Sequence, residues 1–213
     1  MADPVPLPRT SAEKPLILLI PDRDDGADDW MAIWERESAD SSRIDLGMWD
    51  NPHRNTWVNR INLAIERAGR PVVLVARGLA CVAVAWWAEF EQPAHGDPVT
   101  FALLVAPPDV SRPGADPRLA RFTSCPRQPL PFRSFLVAGS RRPVAEQEAL
   151  RSLAHDWESA FIGDSSLGQA GLVDGARDWP AGRGLLGHLL RQVPVTPAAA
   201  AAETAASLHP ARS

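Results

Sequence analysis

Apolar positions in this chain fall into short unbroken runs separated by stretches of helical periodicity. Residues 16–20 form a continuous apolar run between Pro15 and Pro21, the pattern of a strand buried on both faces. Trp30, Met31, Ile33 and Trp34 stand at i, i+1, i+3 and i+4 and predict a helix with one apolar face. A second strand is expected over 43–48, ended by a turn at Trp49-Asp50-Asn51-Pro52. Trp57, Val58, Ile61, Ala64, Ile65 and Ala68 recur at helical spacing over 55–68. From Val72 a β-branched run passes through one sharp corner, Ala76-Arg77-Gly78-Leu79-Ala80, into an apolar helix that reaches Trp86 and Trp87. Further strands are expected at 101–106, 135–138 and 160–162, with helices at 144–157 and 182–193.

Strands alternating with helices, the strands of buried type, predict an α/β fold. Its expected form is a single-domain three-layer α/β/α sandwich around a mostly parallel six-stranded sheet. The domain is expected to span 15–193, after a proline-bearing leader at 1–14 and before an Ala/Pro-rich, disordered tail at 194–213. Between 107 and 132 seven prolines (107, 108, 113, 117, 126, 129 and 131) predict a surface excursion without regular structure. Ligands of such sheets bind beyond the C-terminal strand ends. Those ends are the loops at 21–29, 76–80, 106–110, 139–144 and 163–168.

Composition narrows the function classes. A chain of 213 residues with net charge −4 has no electrostatic reason to seek nucleic acid or an anionic membrane. No stretch approaches the roughly 20 apolar residues of a membrane span. Cys81 and Cys125 are too few for a disulfide framework, and Cys81 lies in an apolar helical run, so a reduced, cytoplasmic chain is expected; abundant Ala, Arg and Pro suggest a GC-rich bacterial source. Cys81 reads as a small buried hydrophobe rather than a nucleophile. The tryptophans at 30, 34, 49, 57, 86 and 87 read mostly as core.

Several landmarks carry a family resemblance. They are Trp30, the segment Trp49-Asp50-Asn51-Pro52 with Trp57, and Leu104-Val105-Ala106-Pro107-Pro108-Asp109-Val110. Leu130-Pro131-Phe132 and Gly163-Asp164 with Trp179-Pro180-Ala181-Gly182 complete the set. Together they resemble the small serine hydrolases of the YdeN and retinoblastoma-binding-protein-nine type, over about residues 15–192. The resemblance implies a minimal α/β-hydrolase fold with the nucleophile on a strand–turn–helix corner. It also implies an acid after the fifth strand and a histidine after the sixth.

At each implied catalytic position this chain carries another residue. Gly78 stands at the nucleophile's place, Arg142 at the acid's and Leu167 at the histidine's. Glycine has no side-chain oxygen to attack a carbonyl, leucine cannot shuttle a proton, and arginine cannot orient an imidazolium. The loop after the first strand carries five aspartates (22, 24, 25, 28 and 29), which would repel the negative charge that acyl transfer develops. None of His53, His95, His155, His188 and His209 falls on a matching loop.

Each of these features also has a plain structural reading. Gly78 relieves the backbone strain of the corner once no nucleophile is needed there. The acidic loop reads as solvated, with Asp28 and Asp29 capping the helix that starts at Trp30, rather than as a metal site. Arg77, Arg141 and Arg142 surround the former pocket, where they either bind a small anion or pair with the acidic loop and plug it. Asp22, Asp24, Asp25, Arg77, Leu79, Arg141 and Trp30 are therefore the candidate pocket residues, with no cofactor expected. The expected function is a catalytically inactive hydrolase-like protein that binds another protein or regulates it. An esterase with a rerouted site and a small-molecule receptor remain as alternatives.

Overall fold

The computed structural model describes residues 14–24, 26–110, 116–138, 143–163 and 178–192. The chain runs β1 (Leu16–Ile20), α1 (Trp30–Glu37), β2 (Ser41–Arg43), α2 (Arg54–Ala68), β3 (Val72–Arg77), α3 (Leu79–Glu91) and β4 (Val99–Val105). A 3₁₀ helix at Pro117–Phe122 follows, then β5 (Arg133–Val137), α4 (Val144–Asp156), β6 (Ala160–Ile162) and α5 (Pro180–Gln192). The strands form one parallel six-stranded sheet in the order β2-β1-β3-β4-β5-β6. This is the six-stranded parallel α/β architecture expected from the alternating pattern, and it has the hydrolase-like form that the family resemblance implies.

Because side chains alternate along a strand, each central strand feeds two cores. Leu18, Leu74, Ala102 and Leu136 point into one core, filled by α2, α3 and α4. Leu19, Val73, Val75, Leu103 and Val105 point into the other, covered by α1 and α5. β3 and β4 are buried almost throughout, as their unbroken apolar runs demand. In the second core Trp30, Trp34 and Trp179 meet at ring-centroid distances of 4.6 to 6.0 Å. Burying apolar surface at roughly 25 cal/mol per Å² makes such a cluster a principal contributor to stability.

Strand order reverses at β1, whose neighbours are β2 on one side and β3 on the other. The chain leaving β1 therefore enters the α1 layer, and the chain leaving β3 enters the α3 layer on the opposite face. The two loops part at the C-terminal strand ends, the place where ligands of such sheets bind.

Three sequence expectations need correction. The second strand is Ser41–Arg43 rather than 43–48. Beyond it Ile44 and Leu46 are buried without extending the ladder, and the left-handed φ of Gly47 (58°) and Met48 (53°) turns the chain away. The proline-rich stretch does contain a regular element, the 3₁₀ helix, because Pro117 occupies its first turn, where no amide partner is required. Asp116 caps that turn by accepting from the Arg118 amide at 2.8 Å, and Phe122 anchors it in the core. The loop after β1 is not wholly solvated: Asp22 and Asp29 are buried, whereas Asp24 and Asp28 are exposed.

Most tryptophans are core, but Trp49 and Trp86 are only partly buried. Cys81 is fully buried, as expected. The expected tail, all of the leader but Lys14, and Asp25, Arg141, Arg142, Leu167 and His209 lie outside the described residues. No helix among the described residues is long and apolar enough to cross a membrane.

Candidate functional site

The corner between β3 and α3 is built by the register of the sheet. The Gly78 amide still donates to the Val105 carbonyl at 2.8 Å, continuing the β3–β4 ladder, and one residue later the chain is helical. That abrupt change needs φ 56° and ψ −130° at Gly78, a conformation that a residue with a Cβ adopts only under strain.

Directly over this corner lies the Asp22 side chain, delivered by the chain leaving β1. A Cβ built on Gly78 would overlap Oδ2 of Asp22 and sit 2.6 Å from its Cγ. The same Oδ2 accepts a hydrogen bond from the Leu79 amide at 3.3 Å. The carboxylate thus takes both the space a side chain on Gly78 would occupy and the first free amide of α3. A helix N-terminus favours an anion, which gives the arrangement a physical reason.

Arg77 holds the carboxylate in place. Its Nε lies 3.4 Å from Asp22 Oδ1, and its Nη1 donates to Asp29 Oδ1 at 2.6 Å. The three side chains are only 11%, 8% and 4% exposed for Arg77, Asp22 and Asp29 respectively. Asp29 also caps α1, its Oδ2 accepting from the Met31 amide at 3.1 Å. Arg77 therefore clamps the start of α1 to the end of β3, with its guanidinium 6.0 Å from the Trp30 ring. Of the two sequence readings of Arg77, the geometry realises the pairing with the acidic loop.

Sequence reasoning missed one further contributor, Arg118. From the 3₁₀ helix its Nη2 donates to the Asp22 carbonyl at 2.7 Å and its Nε to the Trp49 carbonyl at 2.8 Å. One guanidinium thereby ties the proline-rich excursion to the loops after β1 and β2. The only signal for it was the Asp-Pro pair at 116–117, a helix-start pattern inside a stretch read as irregular.

Of the remaining candidates, Trp30 and Leu79 are each 1% exposed and pack in the core. Asp24 is turned outward, its Oδ1 accepting from the Gly26 amide at 3.2 Å. The Cys81 thiol faces inward, toward the Ala76 and Val105 carbonyls at 3.3 and 3.5 Å. Burial pushes the Cys125 thiol up to about 12 despite Arg127 beside it, with Asp109 adding to the rise. It stays protonated at neutral pH. His53 precedes α2, His95 lies in a loop, His155 ends α4, and His188 on α5 contacts Gln192 at 2.7 Å. No three His, Cys, Asp or Glu side chains among the described residues are placed to hold a metal ion.

Comparison with known proteins agrees with this architecture. A family model described as serine hydrolase matches residues 17–188. Among solved structures, a YdeN-like hydrolase from Pectobacterium atrosepticum superimposes with a TM-score of 0.66 at 20% identity, over 84% of this chain and 90% of that one. The ydeN gene product of Bacillus subtilis gives 0.66 at 15% identity, covering 84% of this chain and 100% of its own. Est1E from Butyrivibrio proteoclasticus gives 0.57 at 11% identity, over 86% and 88% of the two chains. At these identities the likeness is one of fold. No curated protein matches the sequence.

Proposed function

The chain belongs to the serine hydrolase family, and from that premise we propose that it is a non-catalytic member serving as a protein-binding or regulatory module. In this reading Gly78 is the vacated nucleophile position of the β3–α3 corner, and Leu79 supplies the amide that a hydrolase uses in its oxyanion hole. Arg142 and Leu167 stand where the acid and the histidine belonged. One observation carries the proposal: the Asp22 carboxylate fills the space beside Gly78 and accepts from the Leu79 amide.

The chemistry follows from that placement. Acyl transfer needs an oxygen or sulfur nucleophile and amides free to receive the developing oxyanion. At this corner the nucleophile's side chain is missing, and the Leu79 amide already faces a negative charge. A substrate carbonyl entering here would meet a carboxylate fixed by Arg77, and the mutual repulsion of two anions opposes the transition state. What persists is a rigid scaffold whose loops at one sheet edge present a surface to partners.

The reading is tested by turnover of short-chain p-nitrophenyl esters by the full chain, with affinity capture run alongside. Expected are rates equal to buffer and a specifically retained partner protein. Saturable turnover abolished by a single serine substitution would overturn the reading in favour of a rerouted esterase.

A further inference from the structure

Away from the corner, a groove of about 570 Å³ lies between α2 and the free edge of the sheet. Its floor is apolar, made by Leu16 and Leu18 of β1, Ile44 after β2, and Ala64 and Ala68 of α2. Leu63 lines it too and is 45% exposed. Arg60, Leu63, Ala64, Arg67 and Ala68 recur at i, i+3, i+4, i+7 and i+8. α2 therefore carries a second stripe beside the one it buries through Trp57, Val58, Ile61 and Ile65.

The charges around this floor are mostly positive. Arg43, Arg60 and Arg67 line the groove against a single lining carboxylate, Asp45, in a chain whose net charge is −4. Arg43 already faces Glu35 at 3.6 Å. Arg60 is anchored by its Nη1, which donates to the Asp45 carbonyl at 2.6 Å; its ion pair with the Asp45 carboxylate is long, at 3.8 Å, and exposed on both sides, so an incoming carboxylate competes for the rest of the guanidinium. Arg67 makes no ion pair among the described residues.

The edge strand itself discourages strand addition. The two β2 amides that face away from β1, those of Ser41 and Arg43, donate internally to the Ser38 carbonyl (3.1 Å) and to Glu35 Oε1 (2.8 Å). An added strand would find those donors occupied. A helix needs no backbone partner and uses side chains alone.

We propose that this groove seats an acidic amphipathic helix of a partner protein, its aliphatic stripe on Leu63, Ala64 and Leu16 and its carboxylates against Arg60 and Arg67. Arg60 and Arg67 are seven residues apart on α2, about 10 Å at 1.5 Å per residue, so carboxylates two turns apart on the partner match them. The inference rests on the binding-module reading and names the chemistry of its partner. Its test reads binding at α2 rather than chemistry at Gly78, so each can fail alone.

The probe is a fluorescent helical peptide of about 14 residues, four turns, with leucines at i, i+3 and i+7 flanked by glutamates. A twin carries lysines instead. Anisotropy titration of the full chain is expected to show binding of the glutamate peptide, weakened by salt, and none of the lysine twin. Leu63→Asp should weaken it about tenfold or more, and Arg60→Glu with Arg67→Glu should reverse the preference toward the lysine twin. These side chains are at the surface, and circular dichroism of each variant verifies its fold. Equal binding of both peptides, or indifference to Leu63→Asp, would overturn the proposal. So would self-association of the protein that Leu63→Asp abolishes, since the occupant would then be a second copy. Ester turnover by the unaltered chain would sink the non-catalytic reading and leave the peptide result standing.

Discussion

Replacing Gly78 with alanine is the sharpest test of how the corner is held. Two costs add. A Cβ at φ 56° and ψ −130° holds an L-residue in a strained backbone region that glycine favours, at about 1–2 kcal/mol. The same Cβ overlaps Asp22 Oδ2, so the carboxylate must leave the Leu79 amide and its close approach to Arg77. Losing charge-assisted bonds of that kind costs about 1.5–3 kcal/mol. The expected destabilisation is therefore about 3–5 kcal/mol, a large part of the 5–15 kcal/mol typical of a domain. With a urea slope of about 2.5 kcal/mol/M it moves the midpoint by roughly 1.5 M. The assay is a double-mutant cycle by urea unfolding, with Gly78→Ala made in the wild type and in Asp22→Ala. In the second background only the backbone cost remains, so a coupling of about 2–3 kcal/mol is expected. Additivity of the two substitutions, or a cost below about 1 kcal/mol in the wild type, would refute the reasoning, because the carboxylate would not occupy the space beside Gly78.

Other expected outcomes follow from neighbouring contacts. Arg77→Met leaves Asp22 and Asp29 buried without their shared cation. It should destabilise by about 3–5 kcal/mol in the same urea assay. Gly182→Ala drives a Cβ into the Trp179 indole at the start of α5, an overpacking expected to cost at least about 1–3 kcal/mol and visible as a lowered Tm. Cys125 has a folded pKa of about 12 against 9.0, so folding favours its protonated thiol. That contribution is present in full below pH 9 and is lost as pH rises from 9 toward 12. Alkaline unfolding titrations of the wild type and Cys125→Ser should diverge in that window. A thiol reagent at neutral pH should leave Cys81 unmodified until denaturant is added, since that residue is fully buried.

The fold was legible where burial dictates composition. The continuous apolar runs at 16–20, 72–76 and 101–105 had to be central strands, and the helical stripe through Trp57, Ile61 and Ile65 had to be a covering helix. β2 was misplaced because an edge strand of three residues, Ser41-Ser42-Arg43, buries little and so leaves no apolar signature, while the buried Ile44 and Leu46 beside it do. The 3₁₀ helix was hidden because proline density reads as irregularity, although Pro117 at a capped first turn permits a helix. At the site, Gly78 announced itself by its place in the corner. The split of the acidic loop into buried Asp22 and Asp29 and exposed Asp24 and Asp28 did not. Adjacent aspartates look alike in sequence, and only the reversal of strand order at β1 brings Asp22 onto Gly78 and Arg77. Arg118 was out of reach for the same reason: its bond to the Asp22 carbonyl closes a separation of 96 residues.

The central claim, a hydrolase corner emptied of its nucleophile and filled by a carboxylate, is tested most directly by intact-mass spectrometry of the full chain after prolonged exposure to a fluorophosphonate probe. An unmodified mass is expected under conditions in which an active serine hydrolase is labelled to completion. A stoichiometric phosphonyl adduct, mapped to any single serine and lost when that serine is replaced, would contradict it.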